Sequence, residues 1–184
     1  MPSKLVLFLQ RNRVFSGFIL ALIYLIFSSP TQIPLAVGLG VATLGLIIRA
    51  WACGHLRKTN ELDASGPYAY TRNPLYLGTF IIALGFGVAS GSWWLFLLVG
   101  LYIGSIYFPV MNVEAIVLSR RLGKEYEEYA ENVPLLFPRF SPWKKSDRGF
   151  DFQLYLKNDE YNAAIGFLIA TAALVAKMYT PSFL

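Results

Sequence analysis

Gly66-Pro-Tyr-Ala-Tyr-Thr-Arg-Asn-Pro-Leu-Tyr-Leu-Gly78, running directly into the apolar stretch 79–89, decides how the chain folds. The segment is polar and rich in turn signals, whereas the stretch after it is almost wholly hydrocarbon. Two X-Pro steps, Gly66-Pro67 and Asn73-Pro74, hold the preceding residues extended and end any helix arriving from upstream. Pro74 suits the first position of a new helix, where its missing N–H costs little, and Asn73 is placed to cap it. Three tyrosines, an arginine and an asparagine therefore gather where a helix enters an apolar phase, which marks the segment as the candidate site.

Outward from this segment, composition points to a bilayer. Of the 184 residues, 55% are hydrophobic, 16% aromatic and only 15% charged, and the mean hydropathy is +0.49. Soluble domains of this size rarely combine such values. The apolar residues fall in five blocks, roughly 14–28, 33–51, 75–89, 93–113 and 161–179. A membrane helix needs about 20 mostly apolar residues, so the first and third must borrow from their flanks. The expected fold is an all-α integral membrane protein with about five transmembrane helices, a single domain over residues 1–184.

Charge gives the orientation. Lys4, Arg11 and Arg13 precede the first block, and Arg49, Arg57, Lys58 and Arg72 separate the second from the third. Arg120, Arg121, Lys124, Arg139, Lys144, Lys145, Arg148 and Lys157 lie between the fourth and fifth. The connections 29–32 and 90–92 carry no charge, so of 16 basic residues only Lys177 falls opposite. By the positive-inside rule the N-terminus is cytoplasmic and the C-terminus is across the membrane, the inner membrane in a bacterium or the endoplasmic reticulum in a eukaryote. The net charge of +5 then reflects topology and contact with anionic lipid rather than nucleic-acid binding. One cysteine, Cys53, and one histidine, His55, support neither a disulfide framework nor a metal cluster. The basic start resembles a signal peptide, but Ser28-Ser29-Pro30 is a poor cleavage site, and an uncleaved anchor is expected.

In chain order, residues 5–9 read as an interfacial segment on the cytoplasmic leaflet. Within the second block, Gly38, Ala42 and Gly45 read as a close-packing helix face rather than a dinucleotide loop, which would have to join a strand to a helix. Gly100 and Gly104 read the same way. Ser90-Gly-Ser92 makes a hairpin of the third and fourth spans, with Trp93 and Trp94 at the outer interface. The first cytoplasmic loop runs from Arg49 to Arg72. Helical character continues past Asn112 until Gly123 closes it. In residues 124–132, the four glutamates form a solvated face while Tyr126 and Tyr129 pack it down. Residues 137–157 read as membrane-surface loop, and Asn158 and Glu160 as caps on the last span.

Two segments carry a family resemblance. Gly66-Pro-Tyr-x-Tyr-x-Arg-Asn-Pro-x-Tyr-x-Gly78 resembles the first signature of the isoprenylcysteine carboxyl methyltransferase and phospholipid methyltransferase superfamily. Glu114-Ala-x-x-Leu118, followed by Leu122-Gly123-x-x-Tyr126-x-x-Tyr129 and Val133-Pro134, resembles the second. Together they cover about residues 55–138. Asn73 stands where the superfamily usually has histidine, and Ala115 where it has a second glutamate. Asn73 can donate and accept hydrogen bonds but cannot exchange a proton at neutral pH.

The resemblance implies a methyltransferase that binds S-adenosylmethionine in a cytoplasmic-side pocket, built by the loop before the third span and the helix after the fourth. A lipophilic carboxylate or amine would reach it from the bilayer. Arg72 and Glu114 are the implied catalytic pair. Cofactor contacts are implied for His55, Gly66, Tyr68, Tyr70, Arg72, Asn73, Pro74, Tyr76, Gly78 and Glu114. Tyrosine faces suit a sulfonium cation, and Arg72 offers a forked donor to a carboxylate. A carboxylate substrate attacks unaided; an amine needs a base, and His55 is the one side chain of a type that titrates near neutrality. Other readings are a sterol-reductase-type enzyme using NADPH, with Arg57-Lys58 for its 2′-phosphate, and a non-catalytic membrane scaffold.

Overall fold

A computed structural model describes residues 4–57 and 62–179, with side chains from residue 15 onward. Lys58 and the side chains of Lys4, Arg11 and Arg13 lie outside the described residues. Among the described residues seven helices form: α1 (Lys4–Phe27), α2 (Gln32–Cys53), α3 (Pro74–Ala89), α4 (Trp93–Leu122), α5 (Lys124–Asn132), α6 (Phe152–Lys157) and α7 (Tyr161–Tyr179). A single 3₁₀ turn, Gly66–Ala69, precedes α3. Among the described residues no strand forms.

The most extensive contact is between α2 and α3, and small residues explain it. Gly38, Ala42 and Gly45 on α2 meet Gly85, Ala89, Gly78 and Ile82 on α3 so closely that a Cβ on Gly45 would lie 2.6 Å from the Gly78 carbonyl oxygen. Without a side chain at these crossings the two backbones touch, which is how apolar helices associate when lipid is as apolar as they are. Gly45→Val should force the pair apart and cost about 1–3 kcal/mol, the usual range for overpacking. Thermal unfolding in detergent would show the loss; a wild-type transition would disprove the seam. Gly100 and Gly104 differ from expectation. Among the described residues nothing lies within 4 Å of a Cβ on Gly100, and only Phe108 of the same helix approaches Gly104.

Three helices, α2, α4 and α7, are long and apolar enough to cross a membrane, and Phe15–Phe27 and Pro74–Ala89 are shorter apolar helices. Phe18, Leu22, Leu101, Leu168 and Ile169 are exposed on these helices, as a lipid-facing surface requires. The chain is a membrane protein. Residues 5–9 form no separate surface segment, because α1 runs unbroken from Lys4 to Phe27. At about 1.5 Å per residue, the 30 residues of α4 span ~45 Å, longer than a ~30 Å hydrocarbon layer. Its last turns, with Glu114, Leu118 and Leu122, line the cavity described below. Gly123 ends it with φ +57°, a conformation that favours glycine.

Arg49 does not begin the loop. Helix α2 continues to Cys53, and Arg49 makes a bidentate pair with Glu160, Nε to Oε1 at 2.7 Å and Nη2 to Oε2 at 2.9 Å. Asn158 and Glu160 consequently do not cap α7. Asn158 instead donates from Nδ2 to the carbonyls of Cys53 and Leu56 at the end of α2. Residues 137–157 are not loop throughout either. Asp151 accepts from the backbone N–H groups of Gln153 and Leu154 and so starts α6. At the far end, Lys177 donates to the last carbonyls of α1, Leu25 and Ile26, tying α7 to α1.

Candidate functional site

The signature loop is held by the segment after α5. Backbone N–H groups of Arg72, Arg139 and Trp143 donate to the carbonyls of Pro134, Tyr70 and Ala69 at 2.9, 3.0 and 2.9 Å. Buried Thr71 donates from Oγ1 to Leu136, and Asn73 donates from Nδ2 to Leu135 at 2.8 Å. Asn73 precedes α3 but makes no side-chain cap; Leu135 has claimed its amide. Tyr129 completes the clamp with Oη donating to the Tyr68 carbonyl at 2.7 Å. Residues 69–73 and 134–143 thus form one paired scaffold, even though the chain between them includes α3, α4 and α5.

Arg72 and Glu114 meet at the same space. A cavity of about 280 Å³ is walled by Tyr68, Arg72, Asn73, Glu114, Tyr126 and Tyr129, with Leu56, Leu62, Met111 and Leu118 as apolar lining and Arg57, Asp63 and Arg121 also contributing. Next to it a chamber of about 520 Å³ is lined by Arg49, Pro74, Tyr76, Thr79 and Tyr107. Tyr68, Arg72, Asn73 and Glu114 line both. The guanidinium of Arg72 lies 6.0 Å from the Tyr126 ring centre, and its Nη1 donates weakly to Tyr126 Oη at 3.4 Å. Among the described residues, its buried Nε and the buried Tyr68 hydroxyl have no hydrogen-bond partner. Burial raises the Tyr68 hydroxyl well above the ordinary phenol range, so it stays neutral and can donate. Tyr129 is raised likewise by burial and by neighbouring Tyr126, against the lowering influence of Arg72. Unsatisfied buried donors are rare and call for an explanation. Both residues line the cavity.

Glu114 is exposed rather than buried and accepts from Tyr76 Oη at 2.7 Å, with Tyr76 packed on Tyr107 at 5.2 Å. Four residues expected to touch a cofactor line neither space. His55 is buried between Trp51 and Phe150, with Nδ1 at 3.0 Å from the Trp51 carbonyl. Gly66 has φ +54°, and a Cβ there would strike the His55 ring. Tyr70 packs on Trp51. Gly78 is glycine because the Arg49 stem and the Gly45 carbonyl cross it. These four build the loop and the helix seam. Sequence reading missed Tyr126 and Tyr129 as cavity walls, since their spacing on α5 reads first as packing, and it missed Leu62, Asp63 and Arg121 altogether. Asp63 also accepts from the Arg57 backbone N–H at 2.8 Å.

An all-helical membrane protein with a paired-signature cavity at one end of its helices defines the class. The family model for phospholipid methyltransferase matches residues 12–125, and the chain belongs to that family. It is 34% identical to a nickel-cobalt-cadmium resistance protein of Alcaligenes xylosoxydans xylosoxydans over 58% of this chain and 51% of that one. It is 33% identical to a cobalt-zinc-cadmium resistance protein of Cupriavidus metallidurans over 63% and 53%. Similarity to the protein-S-isoprenylcysteine O-methyltransferase of Schizosaccharomyces pombe is 26% over 67% and 55%. The chain thus spans about half the length of these curated relatives. No solved structure matches it.

Proposed function

We propose that the chain is an S-adenosylmethionine-dependent methyltransferase that acts on a lipophilic carboxylate or amine reached from the bilayer. The shared wall carries this reading: Tyr68, Arg72, Asn73 and Glu114 face both the 280 Å³ cavity and the 520 Å³ chamber. Donor and acceptor can then sit on two sides of one set of residues. Small-ligand sites run from about 300 to 1,000 Å³, so the paired spaces suit a cofactor and a headgroup better than either does alone.

The residues present fit that cofactor. The orphaned Arg72 Nε suits its carboxylate, the Tyr126 and Tyr129 faces suit its sulfonium charge, and Glu114 and Asp63 can accept from its amine and hydroxyls. When bound, the cofactor supplies an activated methyl group. The chain aligns it and excludes water, the two contributions an in-line displacement needs most. Met111, Leu118 and Leu122 keep the first cavity apolar, while Tyr76 and Tyr107 line the way in from the second. A carboxylate acceptor needs no base. With His55 turned away, an amine would give its proton to Glu114, the carboxylate that lines both spaces. The basic residues flanking this end favour its facing the cytoplasm.

Tyr76→Phe removes the hydroxyl that orients Glu114, and one such bond is worth about 0.5–1.5 kcal/mol. It should therefore weaken binding of S-adenosylhomocysteine roughly two- to tenfold in a calorimetric titration; unchanged affinity would release Glu114 from the role. The resistance named for two relatives has a simple chemical link to this activity: esterifying an acidic headgroup removes an oxygen ligand for divalent cations. Incubating the protein with tritiated methyl donor and a total lipid extract tests the proposal. Label should move to the organic phase, released by mild base if the product is an ester and retained if it is an amine. No transfer to any lipid fraction would refute a lipophilic acceptor.

A further inference from the structure

We infer that residues 134–145 form a contact surface for anionic phospholipid headgroups, and that this contact steadies the signature loop. The segment has two faces. Leu136 is buried and Trp143 packs on Tyr129 with ring centroids 5.5 Å apart, whereas Phe137 is 76% exposed and Phe140 fully so. Two aromatic rings held outward on an irregular segment are poorly suited to water, and aromatic residues concentrate where chain meets headgroups.

The charges around the rings select the lipid. Arg139, Lys144, Lys145 and Arg148 lie within residues 134–148 against a single acid, Asp147. Lys144 stands 3.8 Å from the Trp143 ring centre and pairs at the surface with Glu128 at 3.1 Å; Arg139 donates from Nη1 to the Asn132 carbonyl. Lys144 and Lys145 are exposed, and a basic cluster beside inserted aromatics is drawn to an anionic leaflet. The place is right as well. The segment is bonded residue by residue to 69–73, immediately before α3 begins at Pro74. Anything that fixes Phe137 and Phe140 also fixes the backbone carrying Arg72. This last step rests on the methyltransferase reading; the lipid contact does not.

A bimane label on Phe140→Cys reports the contact directly, because Cys53 is only 2% exposed and should stay unlabelled. The protein would be placed in nanodiscs of phosphatidylcholine with or without phosphatidylglycerol, both carrying a headgroup-proximal spin-label quencher. Quenching at 140 should be at least about twofold stronger with phosphatidylglycerol, and Lys144→Gln with Lys145→Gln should abolish the difference. A label at Glu127, on the solvated face of α5, should be indifferent. Quenching at 140 no greater than at 127, or the same in both lipids, would overturn the inference. In the phosphatidylglycerol discs Phe137→Ser with Phe140→Ser should lower affinity for S-adenosylhomocysteine about fivefold; wild-type affinity would overturn the coupling to the loop. Because quenching is read without cofactor, it stands or fails independently of the activity.

Discussion

Arg72→Ala is expected to lower affinity for S-adenosylhomocysteine by on the order of 100-fold while leaving the protein folded. Among the described residues the buried Nε has no hydrogen-bond partner, and Arg72 lines both the cavity and the chamber. Truncating a desolvated charged contact costs about 2–5 kcal/mol, and a hundredfold corresponds to ~2.7 kcal/mol. Folding should survive, because the bonds holding the loop do not use the Arg72 side chain: Arg72 N–H to Pro134 remains, as do Arg139 to Tyr70 and Trp143 to Ala69, and the side-chain bonds of Thr71, Asn73 and Tyr129. Among the described residues, the side-chain hydrogen bond lost is the long one to Tyr126 at 3.4 Å. Arg72→Lys should recover only part of the affinity, since an ammonium keeps the charge but loses the planar fork. Affinity within threefold of wild type in the alanine variant, with an unchanged melting point, would remove Arg72 from the site.

Glu160→Ala should be the most destabilising single change, by about 3–5 kcal/mol, the usual cost of stripping one partner from a buried ion pair. Glu160 is 5% exposed and Arg49 23%, so water screens the pair little. The carboxylate takes the Nε–Nη2 edge of the guanidinium and a weak bond from the Cys53 thiol, while Arg49 Nη1 donates to Thr79 at 2.6 Å. One cluster thus joins α2, α3 and the start of α7. The melting midpoint in detergent would report the loss. Replacing both partners by methionine should restore most of it, as apolar replacements of buried pairs often do. A wild-type midpoint in the single variant would show that α7 is held by other contacts.

What the sequence made legible was whatever repeats locally. Gly38, Ala42 and Gly45 announce a close seam because their spacing puts them on one helix face. Gly123, Tyr126 and Tyr129 likewise mark the end of α4 and the buried side of α5. The prolines and polar side chains of the loop marked it as a candidate site, and Arg72 and Glu114 line one cavity. Long-range pairings were hidden. Arg49 and Glu160 lie 111 residues apart, and nothing near either suggests the other. Asn73 looked like a cap because it precedes Pro74, but a carbonyl from residue 135 competes for its amide. Gly100 and Gly104 show the converse error: a small-residue face on a helix packs only if another helix arrives there. His55 was drawn into the site by being the only histidine, yet its ring serves to fill the space that Gly66 leaves open.

Equilibrium calorimetry on the detergent-purified protein, titrating S-adenosylhomocysteine and NADPH separately, probes the shared cavity most directly. A methyl-donor site predicts saturable one-to-one binding of S-adenosylhomocysteine, weakened in both Arg72→Ala and Glu114→Ala, with no heat from NADPH. Binding of NADPH alone, by a protein with a normal melting transition, would contradict it.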